Sequence, residues 1–340
     1  MIQNDPDLTH AVARLSAEAG FARVAIAPAG PLSDDVQHRY RQWIQSGQHG
    51  GMEYLTQNFD KRFHPALLVP GARSVICLAT SYAPRRESAG NAFVASYARG
   101  RDYHKVLKTR CHALMDRLRE LAPHFDGRAF VDSAPLAERS LAAQAGLGWI
   151  GRNGCLIVPG LGSYVVLAEI VCNLDLAIGK PLESHCDGCL ACLAACPTGA
   201  LRSEGTIDCG RCLSYLTIEH EGPIAPSLWP QMGSRVLGCD NCQQACPHNI
   251  DVPPGDPELT GQHDWSLSEI LSWDQDGWDA ATAGSAIRRA SYIGLMRNAA
   301  IAAGNSGDTS LAKSLEHLRV ALPQLAEIAA WATERLRGSL

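Results

Sequence analysis

Apolar positions follow two different periods along the first half of this chain. HAVARLSAEAG (10–20) repeats its apolar residues at helical spacing and stops at Gly20, a residue suited to a helix cap. RVAIA (23–27), SVICLAT (74–80), RAFVD (128–132) and SYVVLAEIVC (163–172) are short apolar runs that predict buried strands. KVLKTRCHALMDRLRELA (105–122) and LAERSLAAQAG (136–146) predict helices between them. Together they predict an α+β fold whose first unit, residues 1–178, is α/β-like and built on one sheet. Residues 179–255 follow as short elements rich in Gly and Pro. Over 262–340 strand patterning vanishes. SLSEILSW, DAATAGSAIRRASYIGLMRNAAIAAGN, TSLAKSLEHLRVAL and PQLAEIAAWATERLRG predict successive helices with short joins, which suits a HEAT-like stack.

With 340 residues and 46% hydrophobic content, the chain can build ordinary globular cores. A net charge of −5 excludes a grossly basic nucleic-acid binder, though not a local basic face. The start, MIQNDPDLTHAVARL, lacks a basic stretch followed by an apolar run, and no segment approaches the roughly 18 apolar residues that span a bilayer. The sequence therefore predicts a cytoplasmic protein without a membrane partner. No heptad seam is evident, so a monomer is expected.

The cysteines change the picture. Nine of the thirteen lie between Cys186 and Cys246, and a reducing compartment disfavours disulfides. CDGCLACLAACP places Cys186, Cys189, Cys192 and Cys196 in C-x2-C-x2-C-x3-C-P, the spacing of bacterial ferredoxins with two [4Fe–4S] clusters. CDNCQQACP adds Cys239, Cys242 and Cys246, again followed by proline. In ferredoxins the fourth cysteine of such a run serves the other cluster. Crossing the runs in that way gives one cluster Cys186, Cys189, Cys192 and Cys246. The second takes Cys196, Cys239, Cys242 and either Cys209 or Cys212. Cys212 is favoured because it opens the helical-looking CLSYLTIEH. Structural zinc, the competing reading, usually takes two separated pairs rather than a run of four ending in Cys-Pro. Cys77, Cys111, Cys155 and Cys172 stand in apolar surroundings and are expected to be packing residues.

Other motifs carry less. GLGWIG (146–151) has the G-x-G-x-x-G spacing of dinucleotide sites, but a helix precedes it and strand-like CLIVP follows, the reverse of what that site needs. DYHKVL (102–107) approaches the D-x-H-x-x-G loop that donates a histidine to cobalamin, with Leu107 where glycine belongs. Asp132 ends the apolar strand AFVD, where partial burial would raise its pKa and suit a proton donor or, equally, a helix cap. Arg99, Arg101, Lys105, Lys108 and Arg110, with Arg288, Arg289 and Arg297, are candidates for phosphate contact or for solvated helix faces.

With that cysteine order, FVDSAPLAERSLAAQAGLGWIGRNGCLI and CLSYLTIEHEGPI in view, the sequence resembles the epoxyqueuosine reductase family, from GGMEYL (50–55) to RRASYIGLMRNAAIAAGN (288–305). The resemblance implies reduction of the tRNA wobble nucleoside epoxyqueuosine to queuosine, using two [4Fe–4S] clusters and a cobalamin without a protein lower ligand. It implies tRNA as partner, an electron donor such as a flavodoxin or ferredoxin system, and kinship with reductive dehalogenases. By position it makes Asp132 the proton donor, Cys212 a cluster ligand, and the helices over 262–340 the tRNA-binding portion. Arg62, Tyr97, Asp102, His104, Asp132, Gly151, Asn153, Ser163 and Ser214 fall in its corrin surroundings. A reductive dehalogenase of small organohalides and a non-catalytic ferredoxin-type carrier are the alternatives.

Overall fold

The computed structural model describes residues 6–84, 90–261 and 263–338. Its strands are β1 Arg23–Pro28, β2 Ser74–Ser81, β3 Phe93–Val94, β4 Gly127–Phe130, β5 Trp149–Ile150, β6 Leu156–Ile157, β7 Val165–Cys172 and β8 Arg235–Leu237. The helices of the first half are α1 Pro6–Glu18, α2 Asp34–Gln45, α3 Phe59–Phe63, α4 Tyr103–Leu121 and α5 Glu138–Gln144. In the second half come α6 Ala191–Ala194, α7 Leu213–Ile218, α8 Trp229–Met232, α9 Asn241–Gln244, α10 Leu267–Leu271, α11 Gln275–Ala281, α12 Tyr292–Ser306, α13 Ala312–Ala321 and α14 Ala326–Leu336.

The central sheet runs β1-β2-β7-β4, and every pairing in it is antiparallel. That corrects the α/β-like expectation, which implied a parallel sheet. Continuous apolar runs report burial on both faces, not strand direction. Here α1 and α4 cover one face, packing Val12, Leu15, Leu107, Leu114 and Leu118 against Ile76, Leu78, Ala168 and Ile170. On the opposite face α5 brings Leu141 and Ala142 to Val75, Cys77, Ala79 and Val171. All eight residues of β2 are buried. Each large apolar side chain so enclosed stabilises the fold by about 1.5–3 kcal/mol.

The first core continues into the second half of the chain through Leu213, Trp229, Met232, Val236 and Leu295. A short parallel pair, β3 with β8, ties residues 93–94 to that region. α12 is buried along most of its length and packs on α10 and α14, with α13 also on α14. Its two buried polar residues are satisfied. Arg297 donates to the carbonyls of Leu216, His220 and Gly222, and Asn298 to those of Thr217 and Val236. They fix the end of α7 and β8 against the helical half. Among the described residues no helix is long and apolar enough to cross a membrane.

Candidate active site

The two cysteine runs fold as one motif used twice. α6 carries Cys192 and α9 carries Cys242, with Cys189 and Cys239 two residues ahead of those helices. Cys196 and Cys246 follow just beyond them, and α6 lies against α9. This crossing places Cys186, Cys189, Cys192 and Cys246 around one cavity, rimmed by Arg152, Asn153, His185 and His248. Cys212 lies in the electrostatic field of Cys239 and Cys196, and Cys242 in that of Cys239 and Cys212. Cys209, one turn earlier, neighbours Cys212, Asp208 and Arg139 instead.

The Cys196 sulfur accepts the Ala200 N–H at 3.3 Å and lies 3.7 Å from the Thr198 hydroxyl. Burial pushes its pKa up, but the hydroxyl and the backbone amides outweigh that and hold it below the ordinary thiol value. Such N–H and O–H donors stabilise a thiolate. A single zinc ion needs four donors about 2.3 Å from one point. Among the described residues no three His, Cys, Asp or Glu side chains converge in that way. Four thiols around a space match a polynuclear cluster.

Cys77, Cys111 and Cys172 are wholly buried, as expected of packing residues. Cys155 differs: it is only partly buried and lies in the field of Cys212, Cys242 and Cys246. It belongs to the loop between β5 and β6, which also contains Asn153. The glycines of GLGWIG explain themselves here. A Cβ on Gly146 would stand 2.1 Å from the Lys180 carbonyl oxygen, and one on Gly148 2.2 Å from that of Ile157. Close backbone passage requires these two glycines, and no helix follows the motif to bind a phosphate.

Asp132 lies two residues past β4, with a left-handed backbone at φ 47°. The Tyr103 hydroxyl donates to its Oδ2 at 2.6 Å, and His104 Nε2 stands 3.7 Å from the same oxygen. Asp102 caps α4 by accepting the His104 N–H at 3.0 Å, and it also pairs with His104 Nδ1 at 2.8 Å. The His104 ring stacks on Tyr103 with centroids 4.0 Å apart. Burial lowers the His104 pKa, but Asp102 and Asp132 outweigh it and push it up to about 9. Burial likewise raises Asp132, yet His104 and Tyr103 hold its carboxyl below the usual carboxylate range. The expectation of a raised pKa at Asp132 is therefore corrected. Its side chain, 62% exposed, borders a cationic imidazole and a phenol donor, which the sequence did not reveal.

The surroundings of Asp132 draw on distant parts of the chain. Arg289, in the turn before α12, holds Glu219 through two 2.7 Å bonds, lies 5.9 Å from the Tyr54 ring, and adds positive charge near Asp132. Tyr97 packs edge-on to Tyr103. Arg62 is buried, with Nη2 donating to the Tyr54 carbonyl and Nε without a partner. Asn153 also has a buried, unpartnered Nδ2. Ser163 is buried, its hydroxyl accepting from Gln243 and Asn249. Gly151 lies in the β5–β6 loop, and Ser214 is in the first turn of α7. Sequence reasoning missed Tyr103, Glu138 and Glu169. Glu169 could have been noticed as the one charged residue in the apolar run VVLAEIVC.

The basic stretch is largely consumed within the fold. Arg99 reaches Asp264, and Arg101 pairs with Glu258. Arg110 bridges Asp256 at 2.7 Å and Glu258 at 2.8 Å. Arg288 pairs with Asp279, while Lys105 and Lys108 stay exposed on α4.

Known proteins match this architecture. A family model described as epoxyqueuosine reductase QueG, DUF1730, matches residues 62–133, and a 4Fe-4S double cluster binding domain matches residues 185–249. The epoxyqueuosine reductase of Xanthomonas campestris pv. campestris is 39% identical over 330 residues, covering 92% of each chain. That of Escherichia coli (strain K12) is 36% identical over 332 residues, 93% of this chain and 86% of its own. A crystal structure of epoxyqueuosine reductase with an epoxyqueuosine-modified tRNA-Tyr stem loop superposes with a TM-score of 0.90 at 28% identity, covering 97% of this chain and 90% of that one. The Bacillus subtilis enzyme, solved with its catalytic aspartate loop swung out of the active site, gives 0.88 at 25% identity over the same shares. At these identities, sustained over nearly the whole length, the chain belongs to the epoxyqueuosine reductase family.

Proposed function

We propose that this protein reduces the epoxide of epoxyqueuosine, at the wobble position of tRNA, to the cyclopentene of queuosine. The observation that carries this reading is the exposed Asp132 carboxyl between a phenol and an imidazolium, with Arg289 from the second half of the chain in its field. Removing an epoxide oxygen as water and leaving an alkene takes two electrons and two protons. In this reading residues 1–178 form the catalytic unit, 179–255 the two-cluster module and 262–340 a HEAT-like tRNA-binding portion.

Cys186, Cys189, Cys192 and Cys246 hold one [4Fe–4S] cluster; Cys196, Cys212, Cys239 and Cys242 hold the other. The partly open cavity lined by the first four, and the amide-stabilised thiol of Cys196, support these sets. The electrons come from a small carrier such as a flavodoxin or ferredoxin. Cobalamin, when bound, supplies a strongly reducing metal centre for the bond-breaking electron pair. Arg62, Tyr97, Asp102, His104, Asp132, Gly151, Asn153, Ser163 and Ser214 form its surroundings. The unpartnered buried donors Arg62 Nε and Asn153 Nδ2 fit a large polar ligand, since buried donors are ordinarily paired.

The protein's own part is proton supply, positioning and exclusion of water. Asp132 is ionised while solvent reaches it. A nucleoside seated over the carboxyl removes that water and raises its pKa, so that it takes the His104 proton and passes it to the departing oxygen, and reprotonation of His104 from bulk water supplies the second proton by the same route. Tyr103 keeps Oδ2 aimed as the charge changes. The Asp132 loop is the counterpart of the catalytic loop that swings out in the B. subtilis enzyme.

The test uses anaerobically prepared protein with reconstituted clusters, given cobalamin, a strong reductant and tRNA bearing epoxyqueuosine. Digested nucleosides are analysed by mass. Queuosine forms only with cobalamin present, and Asp132→Ala slows it at least ~100-fold with both clusters retained, the scale of a lost general acid. No conversion by loaded wild-type protein would overturn the reading.

A further inference from the structure

Asp132 has a left-handed backbone, a conformation that L-residues adopt uncommonly and that its surroundings here hold in place. Two bonds do so. One runs from the Tyr103 hydroxyl to the carboxylate, at 2.6 Å. The other runs from the Asp132 backbone N–H to Glu138 Oε1, at 2.7 Å. They are not equivalent in a reaction that moves a proton through Asp132. The first acts on a group whose charge changes during turnover, whereas the second acts on an amide that stays the same in every state. The second therefore holds the loop with unchanged strength throughout the cycle.

Glu138 is itself held from below. It opens α5, whose N-terminus is anchored by the Ala137 N–H to the Arg62 carbonyl at 3.0 Å. Beneath it lies Glu169 on β7, fully buried between Cys77 of β2 and Phe130 of β4. Neither Glu169 oxygen has a partner at ordinary hydrogen-bond geometry, and its main charged neighbour is Glu138. A carboxyl in that place does not ionise readily, because an unpaired buried charge costs several kcal/mol. Burial, reinforced by repulsion from Glu138, raises its pKa accordingly.

We propose that Glu138 is a positioning residue that latches the Asp132 loop in its working position through the Asp132 N–H. This rests on the reading of Asp132 as proton donor. An amide oxygen serves the latch as well as a carboxylate does, so Glu138→Gln preserves it and Glu138→Ala releases it.

Two measurements on the full chain test this. In cofactor-free protein, hydrogen exchange of the amides at 131–134 is followed by mass spectrometry. Glu138→Ala exchanges there about fivefold to tenfold faster than wild type, the scale of one lost hydrogen bond. In cluster- and cobalamin-loaded protein, Glu138→Ala lowers kcat by about 10–100-fold with KM for the tRNA stem loop within about twofold, because a misplaced group slows the chemistry and not substrate capture. Glu138→Gln restores exchange and kcat to within about threefold of wild type. Wild-type exchange at 131–134 in Glu138→Ala, or a kcat loss that glutamine does not restore, would overturn the latch. Asp132→Asn, run alongside, keeps the two ideas separable. Full turnover in that variant removes the proton-donor reading, while the exchange data still decide whether Glu138 holds the loop.

Discussion

Two groups of the Asp132 cluster change charge within an accessible pH range: His104, and Glu138, whose carboxyl is pushed up to about 8 by burial and the Asp132 charge. Partial burial opposes protonation of His104, but the carboxylates of Asp102 and Asp132 prevail and raise its pKa to about 9. The sign follows from a folded value above the ordinary 6.5. The stability that the protonated imidazole confers is fully present below about pH 6.5 and is lost as pH rises through about 9, while the folded ring itself stays protonated until pH approaches 9. Asp132, held low, is ionised across that whole span and contributes no transition there. If His104 supplies the proton, single-turnover rates in loaded protein hold steady from about pH 7 and fall about tenfold per unit beyond about pH 9. His104→Gln turns over more slowly and loses that descending limb. A wild-type rate that stays level to about pH 10 would take His104 out of the proton path.

At the scale of elements, the repeated C-x2-C-x3-C-P turns leave one ligand to be supplied from elsewhere, and the proposed assignment draws it from Cys212 at the start of α7. Cys212 immediately precedes α7 and lies in the field of Cys196 and Cys239, whereas Cys209 is buried beside Cys212, Asp208 and Arg139. Cys212→Ser should therefore lower bound iron from about eight to about four atoms per chain, and Cys209→Ser should leave it at about eight. Iron analysis with electron paramagnetic resonance reads both, and the opposite pattern would exchange the two roles. The two-cluster module was legible because the spacing within each cysteine run is local, set across single helical turns. The strands β1, β2, β4 and β7 were legible too, since each is a compact apolar run. Their antiparallel order was not, because it depends on which distant segments meet. α2 escaped for a different reason. It buries no residue fully and is held by Tyr40 and Trp43, whose polar tips reach the carbonyls of Leu55 and Ile207. The Asp132 cluster was half legible: Asp132 and His104 stood out as residues, but Glu138 and Arg289 reach Asp132 only through the folded path of the chain.

Across the whole molecule, basic residues that look alike in sequence divide into two kinds. Arg110, 15% exposed, bridges Asp256 and Glu258, and Arg101 joins the same Glu258, so the two clamp α4 to the segment that leads into the helical half. Lys105 and Lys108 lie on the same helix, next to His104, and face solvent. A phosphate backbone needs cations free to release their counterions, and a guanidinium already bound to two carboxylates releases little. The two kinds should separate in tRNA binding. Replacing Lys105 and Lys108 by alanine should flatten the salt dependence of stem-loop affinity by roughly 0.7–1 in slope for each lost contact, with the melting temperature nearly unchanged. Arg110→Ala should do the reverse, costing about 1–3 kcal/mol of stability by leaving Asp256 and Glu258 unpaired while the salt slope stays as in wild type. Fluorescence anisotropy across a salt series, beside thermal melts of the same variants, reads both quantities. A salt slope that responds to Arg110 and not to the lysines would place the tRNA on the clamp face of α4 and away from His104 and Asp132.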